Sequence, residues 1–230
     1  MIMAKMGNVR HIKSLNAPLF FGIHRKGNIY VTKPNPGRHS LPRSVSLSLM
    51  LERLSLASNN SDAERVLKSG KILVNSKPVK EPHYPVGLND AIEIKGENRY
   101  FRVGVNNKGR MSVEETKKPD YESMLYKVTG KYKAPSSALM LRLNDGRVVK
   151  GKKEINVNDS VMINLKGEVS KVLKLDVGAR CIVADGVHVG SSGSIKGLVA
   201  GTLHRRQSVT VQQSDGKEFD TLVKNIMVTE

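Results

Sequence analysis

The chain has 230 residues, and its 38 Lys and Arg against 21 Asp and Glu give a formal net charge of +17 and a pI near 10.0. Aromatic residues make up only 4% of the chain and Trp is absent, which excludes one large aromatic-rich core and favours several small domains. No apolar stretch is long enough to span a bilayer, and the single cysteine, Cys181, excludes an intramolecular disulfide framework. The first residues lack the long apolar core of a secretory signal.

The basic residues are concentrated at the beginning of the chain. Residues 1–51 contain eight basic residues and no acidic one, and residues 96–176 carry a net charge of +7, whereas residues 52–95 and 177–230 each carry only +1. An acid-free stretch of this length has no internal salt-bridge partner. It therefore favours a polyanion, and nucleic acid is the polyanion whose binding is driven by the release of condensed counterions.

Residues 1–41 are predicted to form a basic N-terminal extension. Its glycines and prolines break any long helix, which argues against both a membrane-surface helix and a mitochondrial presequence. Because the segment has too few apolar residues for a core, we expect an extended arm with local turns that is not ordered in the free protein. The candidate anchors of this arm are Leu19, Phe20, Phe21, Ile23, Ile29, Tyr30 and Val31.

Residues 42–96 are predicted to form a small α/β module. Pro42 suits the first turn of a helix that would run to about Ala57. Ser61 and Glu64 form a capping box for a second helix, which would end at Gly70. Strands are predicted at residues 71–74 and around Ile92 and Ile94, and a polar turn at residues 75–78.

The rest of the chain alternates apolar and polar residues in short runs, which is typical of β-strands. Within residues 97–176, glycine-containing turns separate three pairs of such runs, so we expect hairpins that close into a small central β-barrel. Within residues 177–230, further strands, a turn at Asp215-Gly216 and an apolar run at residues 226–228 predict a second all-β domain. The predicted fold class is therefore α+β, multidomain and rich in strands.

The most specific pattern lies at residues 53–75. It consists of Arg53-Leu54-Ser55-Leu56-Ala57-Ser58, then Ser61-Asp62-Ala63-Glu64-Arg65, Gly70 and Val74-Asn75. This pattern resembles the S4-type RNA-binding domain, in which two short helices and a β-turn present polar and basic groups to folded RNA. Backbone N–H groups at the start of the second helix also suit a phosphate. The resemblance implies RNA-binding roles for Arg53, Asn59, Arg65, Lys68 and Lys71.

A second pattern spaces small and apolar residues over Gly178, Val183, Gly186, Gly190, Gly193, Ile195 and Val199. It resembles the KOW motif, a β-hairpin unit of RNA-associated proteins, and implies an SH3-like barrel for residues 177–230. Glycine-rich nucleotide loops are excluded because no helical pattern follows. Since Val189 stands where the motif often has a basic residue, we expect this hairpin to contribute more to packing than to RNA contact.

The order of these modules resembles the S4e family of ribosomal proteins along almost the whole chain. The matching runs are His11-Ile12-Lys13-Ser14-Leu15-Asn16-Ala17-Pro18, Lys33-Pro34-Asn35-Pro36-Gly37-Arg38-His39, Lys108-Gly109-Arg110 and Asn225-Ile226. The resemblance implies a structural protein of the small ribosomal subunit that binds the 5′ region of its RNA beside neighbouring ribosomal proteins, without a cofactor. Its length is closer to that of archaeal members. The implied RNA contacts of the arm are Lys5, Arg10, His11, Lys13, Arg25, Lys26, Lys33, Arg38, His39 and Arg43, and those of the later domains are Lys108, Arg110, Arg205 and Arg206.

Catalytic patterns are not found in the sequence. No two of the six histidines lie within four residues of each other, and no nucleophile-elbow motif occurs. S4-type domains also accompany pseudouridine synthases, but neither Gly109-Arg110 nor Gly146-Arg147 is followed by the aspartate that those enzymes need. Cys181 is expected to be a small core residue. We therefore expect no enzyme, and the alternative left open is a transient ribosome-assembly factor or another RNA-binding factor that uses the same modules.

Overall fold

The computed structural model describes residues 9–117, 123–135, 138–164, 167–202, 205–213 and 216–229. The chain divides into two compact units, residues 1–99 and residues 100–230. Strands dominate both units, and the described residues contain two α-helices. The expected class, an α+β protein rich in strands, is confirmed at this level. No helix in the described ranges is both long and apolar enough to cross a membrane.

The first unit combines short strands with two helices. Its elements are β1 (His11–Lys13), β2 (Tyr30–Thr32), β3 (Ser44–Ser46), α1 (Leu47–Arg53), α2 (Asn60–Lys68), β4 (Ile72–Val74), β5 (Lys77–Pro78), β6 (Pro85–Gly87) and β7 (Ala91–Ile94). β1 pairs with β2, β3 with β6, and β4 with both β5 and β7, all antiparallel. Apolar side chains of both helices and of β4 and β7 are fully or almost fully buried, and α1 packs against α2, β3 and β6.

The first helix is shorter than the sequence predicted. Pro42 lies in a separate 3-10 turn, Leu41–Arg43, and Ser44–Ser46 then form β3 instead of the first helical turn. Pairing of Val45 with Val86 buries both side chains, so a contact distant in sequence overrides the local helical preference. The helix ends at Arg53, and Ser55 then adopts a positive φ of 57°.

The second helix begins two residues earlier than the capping box predicted. Asn59 is its N-cap, and its side-chain oxygen accepts a hydrogen bond of 3.0 Å from the backbone N–H of Asp62. Ser61 and Glu64 therefore lie inside the helix, and the predicted capping box was wrong. The predicted end was correct, because Gly70 follows the last turn with a positive φ of 71°.

The second unit is built from antiparallel strands. Its elements are β8 (Arg99–Val105), β9 (Met111–Thr116), β10 (Ser123–Lys133), β11 (Leu139–Leu143), β12 (Val148–Lys150), β13 (Ser160–Asn164), β14 (Val169–Leu173), β15 (Arg180–Val183), β16 (Ser192–Val199), β17 (Ser208–Gln212), β18 (Glu218–Leu222) and β19 (Ile226–Val228). The central sheet has the order β12-β11-β10-β13-β14, and the C-terminal sheet has the order β18-β17-β16-β15-β19. The hairpins β8–β9, β11–β12 and β13–β14 were predicted, whereas β10, the middle strand of the central sheet, was not.

Three hydrogen bonds join the central sheet to the C-terminal part of this unit. The Lys127 ammonium group of β10 donates hydrogen bonds to the carbonyls of Val223 and, at 2.9 Å, Ile226. The Ser160 hydroxyl of β13 accepts a bond of 2.9 Å from the N–H of Val228. Because Lys127 is only 5% exposed, its burial lowers the pKa of the ammonium group from 10.5 to about 8.

Candidate nucleic-acid interface

The arm presents one set of basic side chains to solvent. Arg10, His11 and Lys13 are exposed on and beside β1, and Arg25 and Lys26 are exposed on the loop between β1 and β2. No acidic group in the described part of the chain pairs with Arg10, Lys13, Arg25 or Lys26. We call the group Arg10, Lys13, Arg25 and Lys26 the arm face. Lys5, also predicted to contact RNA, lies outside the described residues.

Two aromatic side chains anchor the arm to the module. Phe20 is 7% exposed and Phe21 is fully buried, which places both among the core residues. The Arg53 guanidinium, at the end of α1, donates hydrogen bonds of 2.5 and 2.7 Å to the carbonyls of Phe21 and Gly22. Three other expected anchors were wrong, because the side chains of Leu19, Ile29 and Tyr30 are mostly exposed. Whether the arm is ordered in the free protein stays a prediction.

A buried acid holds a different part of the arm. Asp90 is 1% exposed, and its carboxylate lies 2.9 Å from His39 Nε2 and 3.2 Å from Arg38 Nη2. It also accepts bonds of 2.8 Å from the Asn75 amide and 2.9 Å from the Gly87 N–H. Burial by itself would raise the pKa of Asp90, but the hydrogen bond and charge of His39, the charge of Arg38 and the Gly87 N–H outweigh it and hold this pKa below 3.8.

This geometry separates Arg38 and His39 from the arm face. Both were predicted to contact RNA, and the structure directs both toward Asp90, with the His39 side chain only 7% exposed. The sequence contains no motif that links Asp90 to the arm 51 residues before it. Sequence reasoning missed this acid because its partners are distant in sequence.

The second helix carries its predicted cations on the surface. Arg65 and Lys68 have side chains that are 83% and 73% exposed, each 3.6 Å from an acid one turn earlier, Asp62 and Glu64 respectively. Exposed pairs of this kind contribute less than about 1 kcal/mol, so both cations remain available to a stronger anion. Lys71 is also exposed, whereas the Asn59 side chain is occupied by helix capping.

Two predicted cations of the first unit remain: Lys33 lies within the arm and Arg43 directly after it. Arg43 is exposed at the end of a 3-10 turn. Lys33 is half-buried, and its carbonyl lies 2.9 Å from His83 Nδ1.

In the second unit, Lys108 and Arg110 share one turn. Their backbone N–H groups each donate a 3.0 Å hydrogen bond to the side-chain oxygen of Asn106, which fixes the turn between β8 and β9. Both side chains are exposed, as are those of Arg205 and Arg206 between β16 and β17. The turn also packs against Gly190, where an added Cβ would lie 2.6 Å from the carbonyl carbon of Asn106.

The groups that could support catalysis or metal binding are used otherwise. Cys181 is 1% exposed in the C-terminal core, and burial raises the pKa of its thiol to about 11, so it is not an activated nucleophile. Within the described ranges, no three His, Cys, Asp or Glu side chains are grouped closely enough to hold a metal ion.

Comparison with known proteins finds the same modules in the same order. Family models match the chain as "RS4NT (NUC023) domain" over residues 6–42, "S4 domain" over residues 47–92 and "Ribosomal family S4e" over residues 97–169. A protein of Methanosphaera stadtmanae named "Small ribosomal subunit protein eS4" is 30% identical over 228 residues, which cover 98% of this chain and 94% of that protein. A protein of the same name from Tetrahymena thermophila is 29% identical, covering 96% of this chain and 87% of its own length.

A solved structure shares the fold. The crystal structure of the 30S ribosomal protein S4e from Thermoplasma acidophilum superposes with a TM-score of 0.68 at 27% identity, covering 81% of this chain and 94% of that one. The relatives are matched along nearly their full lengths, and the S4 model spans the residues that form α1, α2 and β4. The chain therefore belongs to the S4e family of ribosomal proteins.

Proposed function

We propose that this protein is a structural constituent of the small ribosomal subunit that binds small-subunit ribosomal RNA. The observation that carries this proposal is the arm face, four exposed cations without an acidic partner among the described residues, next to an S4-type module in a chain of the S4e family. Basic side chains of this kind bind RNA by displacing counterions from phosphates, and contacts to double-helical RNA depend mainly on shape and backbone.

The proposed RNA interface consists of main contacts from the first unit and additional contacts from the second unit. The arm face forms the centre, with His11, Lys33 and Arg43 beside it and Arg65, Lys68 and Lys71 on the module. Lys108, Arg110, Arg205 and Arg206 supply additional phosphate contacts from the second unit. Arg38 and His39 act as positioning residues, since they neutralise Asp90 and so hold the arm against the module.

Finer features of the architecture belong to the same proposal. We assign residues 1–41 to the extension, residues 42–96 to the S4-type domain, residues 97–176 to a central barrel and residues 177–230 to a KOW-containing SH3-like barrel. The RNA partner is the 5′ region of the small-subunit RNA, and the ribosome is cytoplasmic. Membership of a family of ribosomal proteins confirms the expectation that the chain is not an enzyme.

The salt dependence of RNA binding tests the arm face. We would replace Arg10, Lys13, Arg25 and Lys26 by Gln, because deleting the whole arm would also leave Asp90 without Arg38 and His39. The slope of log affinity against log salt concentration for small-subunit RNA should fall by roughly 3, since each lost phosphate contact removes about 0.7–0.9.

A matched control keeps the change in net charge constant. Four exposed lysines elsewhere, Lys152, Lys153, Lys174 and Lys224, are replaced by Gln, and their loss should reduce the slope by less than about 1. An equal loss of slope in both variants would overturn the assignment of the arm face.

Stoichiometry on the ribosome separates a structural protein from an assembly factor. Lysate is sedimented through a sucrose gradient, the small subunits are washed with salt, and the protein is quantified in each fraction. One copy per mature subunit after the wash supports the proposal. Enrichment in lighter precursor particles, with absence from mature subunits, would support a transient assembly factor instead.

A further inference from the structure

The first unit contains a cleft beside the arm whose lining, unlike the arm itself, includes an acidic residue. The cleft has a volume of about 600 Å³ and lies between the loop that joins β1 to β2 and the ends of α1 and α2. Its lining includes Tyr30, Glu52, Arg53, Asn28 and Asn60. This volume falls in the range of about 300–1,000 Å³ that is typical of sites for small organic groups.

Glu52 is the unusual residue of this lining. It is the first acidic residue of the chain and follows 51 residues without one. Within the part of the chain that the structure describes, no cation or hydrogen-bond donor contacts its carboxylate. Burial raises the pKa of Glu52 above 4.5, so the fold does not itself stabilise the charge of this group. This half-buried carboxylate is therefore free to accept hydrogen bonds from a donor outside the described residues.

The walls of the cleft are fixed by hydrogen bonds that do not use Glu52. Arg53 holds the carbonyls of Phe21 and Gly22, and the Thr32 hydroxyl donates a 3.3 Å bond to the Asn60 side-chain oxygen. The Tyr30 ring is 53% exposed and contacts His11 with a centroid distance of 4.8 Å in an edge-to-face arrangement. The cleft therefore offers an aromatic ring and an acceptor that no described residue occupies. The exposed cations Arg25 and Lys26 lie on the loop between β1 and β2, which forms one wall of the cleft.

We propose that this cleft binds one unpaired guanine base of the ribosomal RNA, with Glu52 accepting hydrogen bonds from its Watson–Crick edge and Tyr30 stacking on its face. This inference rests on the proposed RNA-binding function. Guanine fits the acceptor because its N1–H and N2–H₂ groups are two adjacent donors that match the two oxygens of one carboxylate. Unpaired bases are recognised in this manner, by aromatic stacking and by hydrogen bonds to their edges. The flanking phosphates would then contact Arg25 and Lys26.

Fluorescence anisotropy with the full chain tests the inference. The probes are labelled five-nucleotide RNAs of uridine whose central nucleotide is guanosine, inosine, adenosine, cytidine or uridine. The guanosine probe should bind about tenfold more tightly than the adenosine probe, as expected for a bidentate contact to a base edge. Inosine should lie between them because it lacks the N2 amine. The Glu52→Gln variant should bind all five probes within about twofold of one another.

Two control variants separate base recognition from charge and stacking. Glu81→Gln removes an exposed acid from the same module and should leave the tenfold guanosine preference intact. Tyr30→Leu should weaken binding of every probe, because all bases stack. Thermal unfolding of Glu52→Gln should match that of the parent chain, since no described residue depends on this carboxylate.

The remaining outcomes are distinguishable. Equal binding of all five probes by the parent chain, or a guanosine preference that persists in Glu52→Gln, would overturn the guanine site while leaving the RNA-binding function in place. Loss of incorporation into small subunits by Glu52→Gln without any base preference would assign the cleft to a basic side chain of a neighbouring protein, which also overturns it. Failure to bind either these probes or small-subunit RNA would overturn both proposals.

Discussion

The N-terminal unit joins its arm to its module around a buried acid, whereas the second unit joins its two sheets at a buried base. Asp90 is surrounded by Arg38, His39 and two neutral donors, and these partners hold its pKa down. Among the described residues the Lys127 ammonium group contacts backbone carbonyls and no carboxylate, and burial lowers its pKa to about 8. Full charge compensation stabilises a buried ion, while carbonyl dipoles offset only part of the desolvation cost.

The largest expected effect follows from removing the buried acid. Asp90→Ala removes the buried carboxylate that accepts from the Arg38 guanidinium and the Asn75 amide, and should destabilise the unit by about 3–5 kcal/mol in urea unfolding. Glu93→Gln, a change of a partly exposed acid in the same module, is the control and should shift stability by less than about 0.5 kcal/mol. Equal effects of the two changes would contradict the role of Asp90.

The pH dependence of the same site has a definite sign. Because the folded-state pKa of Asp90 lies below 3.8, its contribution to stability is present above about pH 4 and is lost as the pH falls below that value. Asp90→Asn should remove this part of the acid dependence.

The buried base should show the opposite dependence on pH. Since the pKa of Lys127 is about 8 in the folded state and 10.5 otherwise, the unfolded state binds more protons between these values and stability should rise with pH in that window. Lys127→Met should abolish the rise and cost about 1–3 kcal/mol at pH 10.5, where the folded-state amine is neutral, because the carbonyls of Val223 and Ile226 lose their donor. Unfolding curves between pH 7 and 10.5 measure both effects. Lys133→Met, at an exposed position of the same strand, should preserve the rise.

Substitution of Gly190, which packs against the turn between β8 and β9, should have a moderate effect on stability. Gly190 combines a positive φ of 80° with an approach that would bring a Cβ within 2.6 Å of the Asn106 carbonyl carbon. Gly178 has a similar φ of 89° and open space around it. Gly178→Ala should cost about 1 kcal/mol for the backbone conformation alone, and Gly190→Ala at least about twice that in thermal or urea unfolding. Equal costs would show that the close approach is unimportant.

The smallest stability effect is expected at the exposed ion pairs of α2. Arg65→Gln and Lys68→Gln should each change the free energy of unfolding by less than about 0.5 kcal/mol, because the pairs are 3.6 Å long and largely exposed. If both cations contact RNA, the double variant should nevertheless reduce the salt slope of binding by roughly 1.5–2. A large loss of stability with an unchanged slope would place these residues in the structural part of the molecule and outside the interface.

Local features of the fold were readable from the sequence. The hairpins around Gly109, Gly146 and Gly167 were predicted, and all three glycines adopt positive φ angles between 70° and 87°. The end of α2 at Gly70 was predicted for the same reason. In each case the signal depends on a few consecutive residues, so no knowledge of distant contacts is needed. The burial of Cys181 was also predicted, and in β15 it faces the core with Val183 while Arg180 and Ile182 are exposed.

The sequence by itself determined the class of partner, the order of the modules and the turns, because charge, motif spacing and glycine positions are properties of the chain alone. The tertiary structure decided which cations face solvent. Arg25 and Arg38 are equivalent in the sequence, both in an acid-free segment, yet one is exposed and the other binds Asp90. It also decided that Ser44–Ser46 form a strand, through pairing with Pro85–Gly87. These outcomes depend on residues about 40 to 50 positions apart, and burial changes the energy of a charge only after folding has brought its partners together.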